Sequence, residues 1–257
     1  MKRIRVIPVL LLHEGGLVKS IRFRNYQYVG DPINAVKIFN EKEIDEIIVL
    51  DIDASKEKRG PDIARIREIT GEAFIPLAYG GGISNTDQVK ELFFNGVEKV
   101  IFNYQAVHQT SLITETAKLV GSQSVVASID VKKNWLGSYK VCTLNGTETI
   151  KADPIAFAKQ LADAGAGEIF LNSIDKDGTY GGYDLELVKQ VCEVVSIPVV
   201  ACGGAAGLPD LVKAVDAGAS AVAAGSLFVF QRPHQAVLIS YPSQQQLEQQ
   251  LFSVIKH

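Results

Sequence analysis

Short apolar runs rich in valine and isoleucine alternate with longer amphipathic stretches along the whole chain. Eight runs stand out, at 5–12, 46–51, 75–79, 99–103, 124–130, 168–172, 198–201 and 221–224. Helical patterns lie between them at 32–40, 61–70, 86–95, 111–120, 154–164, 185–194 and 209–217. Strands that are apolar throughout belong in a parallel sheet covered by helices, because a solvated face would show alternating polar residues. Eight such strands in roughly 250 residues predict a (β/α)8 TIM barrel, with a doubly wound open sheet as the competing architecture.

An internal repeat favours the barrel. Residues 46–53, EIIVLDID, resemble 168–175, EIFLNSID, and 75–82, IPLAYGGG, resemble 197–204, IPVVACGG. Gly96 leads into a strand as Gly218 does, and all three matches lie 122 residues apart. Two four-stranded halves closing on one core account for that offset, whereas two separate domains would bury little against each other. Residues 1–257 are therefore expected to form a single barrel domain with two-fold half-barrel pseudo-symmetry. The polar segment 132–150 reads as an insertion after the fifth strand, a hairpin turning at Asn145 and Gly146.

Composition narrows the function classes. A net charge of −3 supplies no basic field for nucleic acid. Cys142, Cys192 and Cys202 are scattered and odd in number, with neither metal-ligand spacing nor a disulfide framework. That fits a reducing cytosol, and no metal or other cofactor is expected. The opening MKRIRVIPVLLL has the basic end and apolar run of a signal peptide. No small-residue cleavage site follows, so a buried first strand is expected. No apolar run approaches the ~20 residues of a membrane span.

In barrels, chemistry sits at the C-terminal strand ends, and phosphates often bind the loops after strands seven and eight. Gly203 and Gly204 end the seventh strand, and Gly225 and Ser226 the eighth. Glycines let backbone N–H groups approach phosphate oxygens closely. By the repeat, Gly80, Gly81 and Gly82 after strand three and Asn103 after strand four form a second such site. Two sites across one mouth suit an elongated substrate phosphorylated at both ends. Tyr104 stands where Ser226 stands in the other half, so the first-half site is expected to be weaker.

The motifs RVIPVL, GDPINAV, LDIDAS, IPLAYGGGIS, KVIFN, GSQSVVASID, GAGEI, SIDKDGTYGGYDLEL and IPVVACGGA resemble the cyclase subunit of imidazole glycerol phosphate synthase, over nearly the whole chain. The resemblance implies ammonia supplied by a glutaminase partner, passage through the barrel, and joining to a substrate with two phosphates. It implies ring closure by two aspartates at the ends of strands one and five. Asp130 matches the second, and Leu11 stands in place of the first. A leucine cannot exchange protons, and general acid–base catalysis contributes typically ~10²–10⁴-fold, so standard cyclase activity is expected to be crippled. His13, read as lying in a flexible loop after strand one, and Asp51 are the neighbours able to substitute. Asp53 departs from the family pattern and is a candidate ligand contact, as are Asn172 after strand six and Asp177 and Gly178 in the SIDKDG motif. Lys19, in GGLVKS, matches a family lysine at the mouth.

Arg5, Glu46, Lys99 and Glu168 lie at or near strand starts, on the opposite face. Charges inside a barrel base are costly unless paired, so they form either a salt-bridge plug or, as the resemblance implies, the gate where ammonia enters. Glu98 resembles an acidic contact to the glutaminase. An intact floor beneath a broken catalytic pair resembles the paralogues associated with acetamidino modification of bacterial surface sugars. Those work with a glutaminase and a separate nucleotide-activating amidotransferase, in the cytoplasm. The tail SLFVFQRPHQAVLISYP resembles that subgroup: breaks at Pro233 and Pro242 and the run AVLISY suit a partner-binding edge or a poorly patterned helix. The Gln-rich SQQQLEQQLF reads as a surface helix end. A histidine-pathway cyclase with a rearranged acid, and a non-catalytic scaffold that activates a glutaminase, are the competing functions.

Overall fold

The structure, a computed structural model, describes residues 3–231 and 236–255. Eight parallel strands close into a barrel: β1 (Arg5–His13), β2 (Ile47–Asp51), β3 (Leu77–Gly80), β4 (Lys99–Phe102), β5 (Val125–Lys133), β6 (Glu168–Ser173), β7 (Val199–Cys202) and β8 (Ala221–Ala224). Closure is made by β8 on β1, with Arg5 opposite Ala221 and Pro8 opposite Ala224. Seven helices cover the strands: α1 (Pro32–Glu41), α2 (Ile63–Gly71), α3 (Thr86–Phe94), α4 (Ser111–Val120), α5 (Pro154–Asp163), α6 (Leu185–Cys192) and α7 (Leu208–Asp216). Each element expected from the pattern forms, with boundaries within three residues of the expected ones.

The repeat holds at the level of hydrogen-bond register. Ile48 pairs with Ala78 and Gly80 with Ile101; 122 residues on, Phe170 pairs with Val200 and Cys202 with Ala223. Helix starts repeat as well. Asp31 and Asp153 cap α1 and α5, each accepting two backbone N–H groups ahead of a proline in the first turn. Such caps satisfy donors that have no partner inside the helix. Asp62 and Asp184 cap α2 and α6, each accepting one backbone N–H group.

Alternation along the strands divides the buried side chains into two sets. One packs between strands and helices. The other, including Ile7, Ile48, Ile101, Val126, Phe170 and Val200, fills the barrel as an apolar column. Phe170 is among the largest fully buried side chains.

Several elements beyond the barrel shape its two ends. Strands Gly16–Ile21 and Arg24–Gly30 form an antiparallel hairpin on the end of β1, where a flexible loop was expected. β5 runs on into Tyr139–Thr143 and Glu148–Ile150, and the chain turns at Asn145 and Gly146 with positive φ, as expected. Short helices Tyr104–His108 and Ser226–Val229 follow β4 and β8. The Gln-rich tail forms Gln244–Leu247 and a wider turn at Glu248–Phe252. It is not a surface end, because Leu247, Leu251 and Phe252 are buried, and the turn packs against α7. In AVLISY, Val237 and Leu238 are exposed, while Tyr241 turns inward to donate to the Val6 carbonyl at 2.9 Å. Pro233 lies outside the described residues.

The inner column is expected to support the barrel from within. Phe170→Ala should cost about 3–5 kcal/mol in urea denaturation. A loss under ~1 kcal/mol would show that the column contributes little.

Candidate functional site

The C-terminal strand ends surround a cavity lined by Leu11, Lys19, Tyr26, Gly82, Asn103, Asp130, Asn172, Asp177, Gly225 and Ser226, among others. Leu11 and Asp130 hold equivalent places in it. Leu11 lies opposite Leu50 on β2, and Asp130 opposite Asn172 on β6, the counterpart of Leu50 122 residues later. The Leu11 side chain extends the apolar column upward beside Leu50.

Asp130 is pushed up to about 7, first by burial and then by the Asp177 carboxylate, with a hydrogen bond from Asn172 opposing. The Asn172 amide oxygen is buried and has no protein partner, leaving an acceptor facing the mouth. Burial also raises Asp177, against the Ser20 hydroxyl at 3.0 Å and the charge of Lys19. Lys19 is buried and donates to the Val9 carbonyl. Burial lowers it to about 8, with Asp177 pulling the other way. Asp130 and Asp177 are raised and Lys19 is lowered, so all three are shifted toward neutral pH. Such shifts cluster at functional sites.

A smaller adjoining cavity joins Asp177, Gly178, Tyr180, Gly203, Gly204, Gly225 and Ser226. Glycine is required at its base. Gly203 and Gly204 have φ of +95° and +104°, and a Cβ on Gly204 would fall 2.3 Å from the Gly182 carbonyl oxygen. Gly82 and Asn103 lie in the main cavity beside Tyr104.

Two sequence candidates go elsewhere. His13 does not lie in a flexible loop; it ends β1, and its Nδ1 lies 2.8 Å from Asp53. Asp53 also accepts the Glu14 N–H at 2.9 Å. Both open into a separate cavity with Arg59 and Arg65 rather than the mouth. Asp51 lines both cavities and is gripped by Arg59 at 2.8 and 3.0 Å. Sequence reasoning missed Ser20, Phe23, Tyr26 and Asn145, which reach the mouth from the two hairpins. Asn145 bridges the halves by donating to the Ile52 carbonyl at 2.9 Å.

At the opposite face, Arg5, Glu46, Lys99 and Glu168 form a closed ring. Arg5 bonds both glutamates, and the Lys99 ammonium reaches each of them at 3.0 Å. Both glutamates are buried, at 3% and 5% exposure. Burial alone would lower the Arg5 pKa, but Glu168 and Glu46 together outweigh it and raise it. Glu98 beside the ring is exposed. Phe74, in the segment before β3, and Phe94, at the end of α3, are exposed at 85% and 88%.

A closed barrel with a floor of paired charges and a mouth of tuned acids above glycine cradles defines the class. The chain belongs to the family described as "Histidine biosynthesis protein", which matches residues 5–233. Its HisF-type members are cyclase subunits of imidazole glycerol phosphate synthase. A protein of Pseudomonas aeruginosa with the provisional name imidazole glycerol phosphate synthase subunit hisF2 is 51% identical over 249 residues, 96% of this chain and 99% of that one. A provisionally named hisF3 subunit of Vibrio vulnificus is 48% identical, over 95% of this chain and 94% of its own. The subunit HisF of Alkaliphilus metalliredigens, named without qualification, is 40% identical over 87% and 89%. Among the described residues, no helix is long and apolar enough to cross a membrane.

The raised Asp130 pKa has a stability consequence. The native state holds a proton that the unfolded state releases between about pH 4 and 7, so this group lowers stability as pH rises through that window. Asp130→Asn should therefore stabilise the protein at pH 8 by about 1–3 kcal/mol, and the difference should vanish near pH 4. Denaturant midpoints at the two pH values measure it. Equal midpoints for the two proteins at pH 8 would contradict it.

Proposed function

We propose that this chain is the ammonia-conducting synthase subunit of a glutamine amidotransferase complex that serves acetamidino modification of a surface-polysaccharide sugar. The observation that carries this reading is the pairing of a complete floor ring with a mouth lined by Leu11 as well as Asp130. Four relatives with provisional HisF names are 46–51% identical to the chain, and four plainly named ones 39–41%. Both groups of relatives carry imidazole glycerol phosphate synthase subunit names.

In this reading, a glutaminase docks over the floor, with the exposed Glu98 as a polar contact. Arg5, Glu46, Lys99 and Glu168 gate the entry of ammonia. Neutral ammonia crosses the apolar column, while ammonium is turned back by the cost of desolvating a charge. At the mouth, Gly203, Gly204, Gly225 and Ser226 hold a phosphate near the buried Lys19 cation. Asn172, Asp177 and Gly178 hold the body of a phosphorylated ligand, and Asp130 is the acid–base group. Gly82 and Asn103 form the weaker end. A separate nucleotide-activating amidotransferase accepts the ammonia, and the complex works in the cytoplasm. A second reading, a histidine-pathway cyclase with a rearranged acid, draws support from Lys19, whose pKa of about 8 would let it exchange a proton.

Two variants test the proposal. Lys99→Ala leaves Arg5 to hold both glutamates; it is expected to keep the fold and uncouple glutamine hydrolysis from amidated product. Unchanged coupling would leave the ring as a structural plug. Leu11→Asp is expected to raise ring-closure activity on the histidine intermediate by at least ~10²-fold, the low end of an acid–base contribution. No gain would mean that Leu11 is not what separates this mouth from a cyclase.

A further inference from the structure

The half-barrels share a backbone register, but their mouth ends differ in chemistry. Leu50 is the counterpart of Asn172, Ile83 of Ala205, and Tyr104 of Ser226, each 122 residues apart. At all three pairs, the first-half residue is larger or less polar. The Tyr104 ring lines the mouth and is held there. It stacks on His108 at 4.2 Å between centroids, with a tilt of 37°. His108 lies 3.4 Å from Glu148 of the second hairpin, and Glu148 is fixed by the Thr143 hydroxyl at 2.5 Å. These contacts hold the ring on the lining of the mouth.

Two donors at the same end already have partners. The Gly82 N–H faces the Ser55 hydroxyl at 3.4 Å, and the Asn103 amide donates to the Ser128 carbonyl at 3.2 Å. Among the described residues, Lys56 is the one cation lining this end, and it is exposed. At the opposite end, Lys19 is buried close against Gly225.

We propose that the mouth binds an asymmetric ligand: an anion at the Gly203, Gly204, Gly225 and Ser226 end, and a planar uncharged ring stacked on Tyr104 at the other. The ligand class is a monophosphorylated molecule carrying a flat heterocycle, in place of one phosphorylated at both ends. This rests on the anion site proposed above. Stacking a flat heterocycle on an aromatic side chain is worth about tenfold in affinity or more.

Calorimetric titration with three probes tests it. Ribitol 5-phosphate carries the anion alone. Flavin mononucleotide adds a flat ring to the same phosphorylated chain. The bis-phosphorylated histidine intermediate carries two anions. Flavin mononucleotide should bind about tenfold tighter than ribitol 5-phosphate, with its fluorescence quenched. Tyr104→Phe should keep that advantage. Tyr104→Ser, which copies the opposite end, should abolish it and tighten the bis-phosphate by about tenfold. An advantage that survives Tyr104→Ser, or bis-phosphate affinity unchanged by it, overturns the asymmetric mouth alone. Absence of ribitol 5-phosphate binding overturns the anion site beneath it as well.

Discussion

Closure of the sheet is the constraint on which everything else in this molecule depends. Each barrel strand must pair on both sides, and β8 completes the circuit on β1 through Arg5, Val6, Ile7 and Pro8. Once closed, the register leaves no freedom in which side chains face inward. Arg5 and Lys99 are thereby brought to Glu46 and Glu168 at the floor. The same alternation lifts Leu11, Asp130 and Asn172 to the mouth. A one-residue slip on any strand would turn its inward set toward the helices.

Floor and mouth place opposite electrostatic demands on one scaffold. At the floor, two carboxylates and two cations satisfy one another, and the penalty for burying them is met locally. At the mouth, Asp130 and Asp177 lie near the buried Lys19, and both carboxylates are raised. A further carboxylate at position 11 would add to that strain, whereas Leu11 continues the apolar column.

The barrel, its repeat and the floor ring were legible in the sequence because they follow from periodicity. Apolar runs of fixed spacing and charges at strand starts have few other places to go. The glycine cradles were legible for a related reason: Gly203 and Gly204 occupy backbone conformations that strongly favour glycine. The hairpin Gly16–Ile21 and Arg24–Gly30 was not. Most of its second strand is exposed, so no apolar pattern marks it, yet it carries Lys19, Ser20 and Tyr26 into the mouth. His13 and Asp53 were misplaced because their partnership spans 40 positions and depends on the turn after β2. Leu247 and Leu251 were hidden among glutamines, where two apolar residues four apart are too few to announce a docked turn.

The central claim is that a mouth lined by Leu11 as well as Asp130 does not close imidazole rings, whatever the ammonia supply. The direct measurement bypasses the partner. The purified chain is incubated with the bis-phosphorylated histidine intermediate at saturation, with ammonium chloride at pH 8.5 to supply free ammonia, and ring-closed product is followed. The account predicts turnover at least ~10²-fold below the ~10 s⁻¹ typical of enzymes. Turnover of ~1 s⁻¹ or more would contradict it and make the chain a working cyclase.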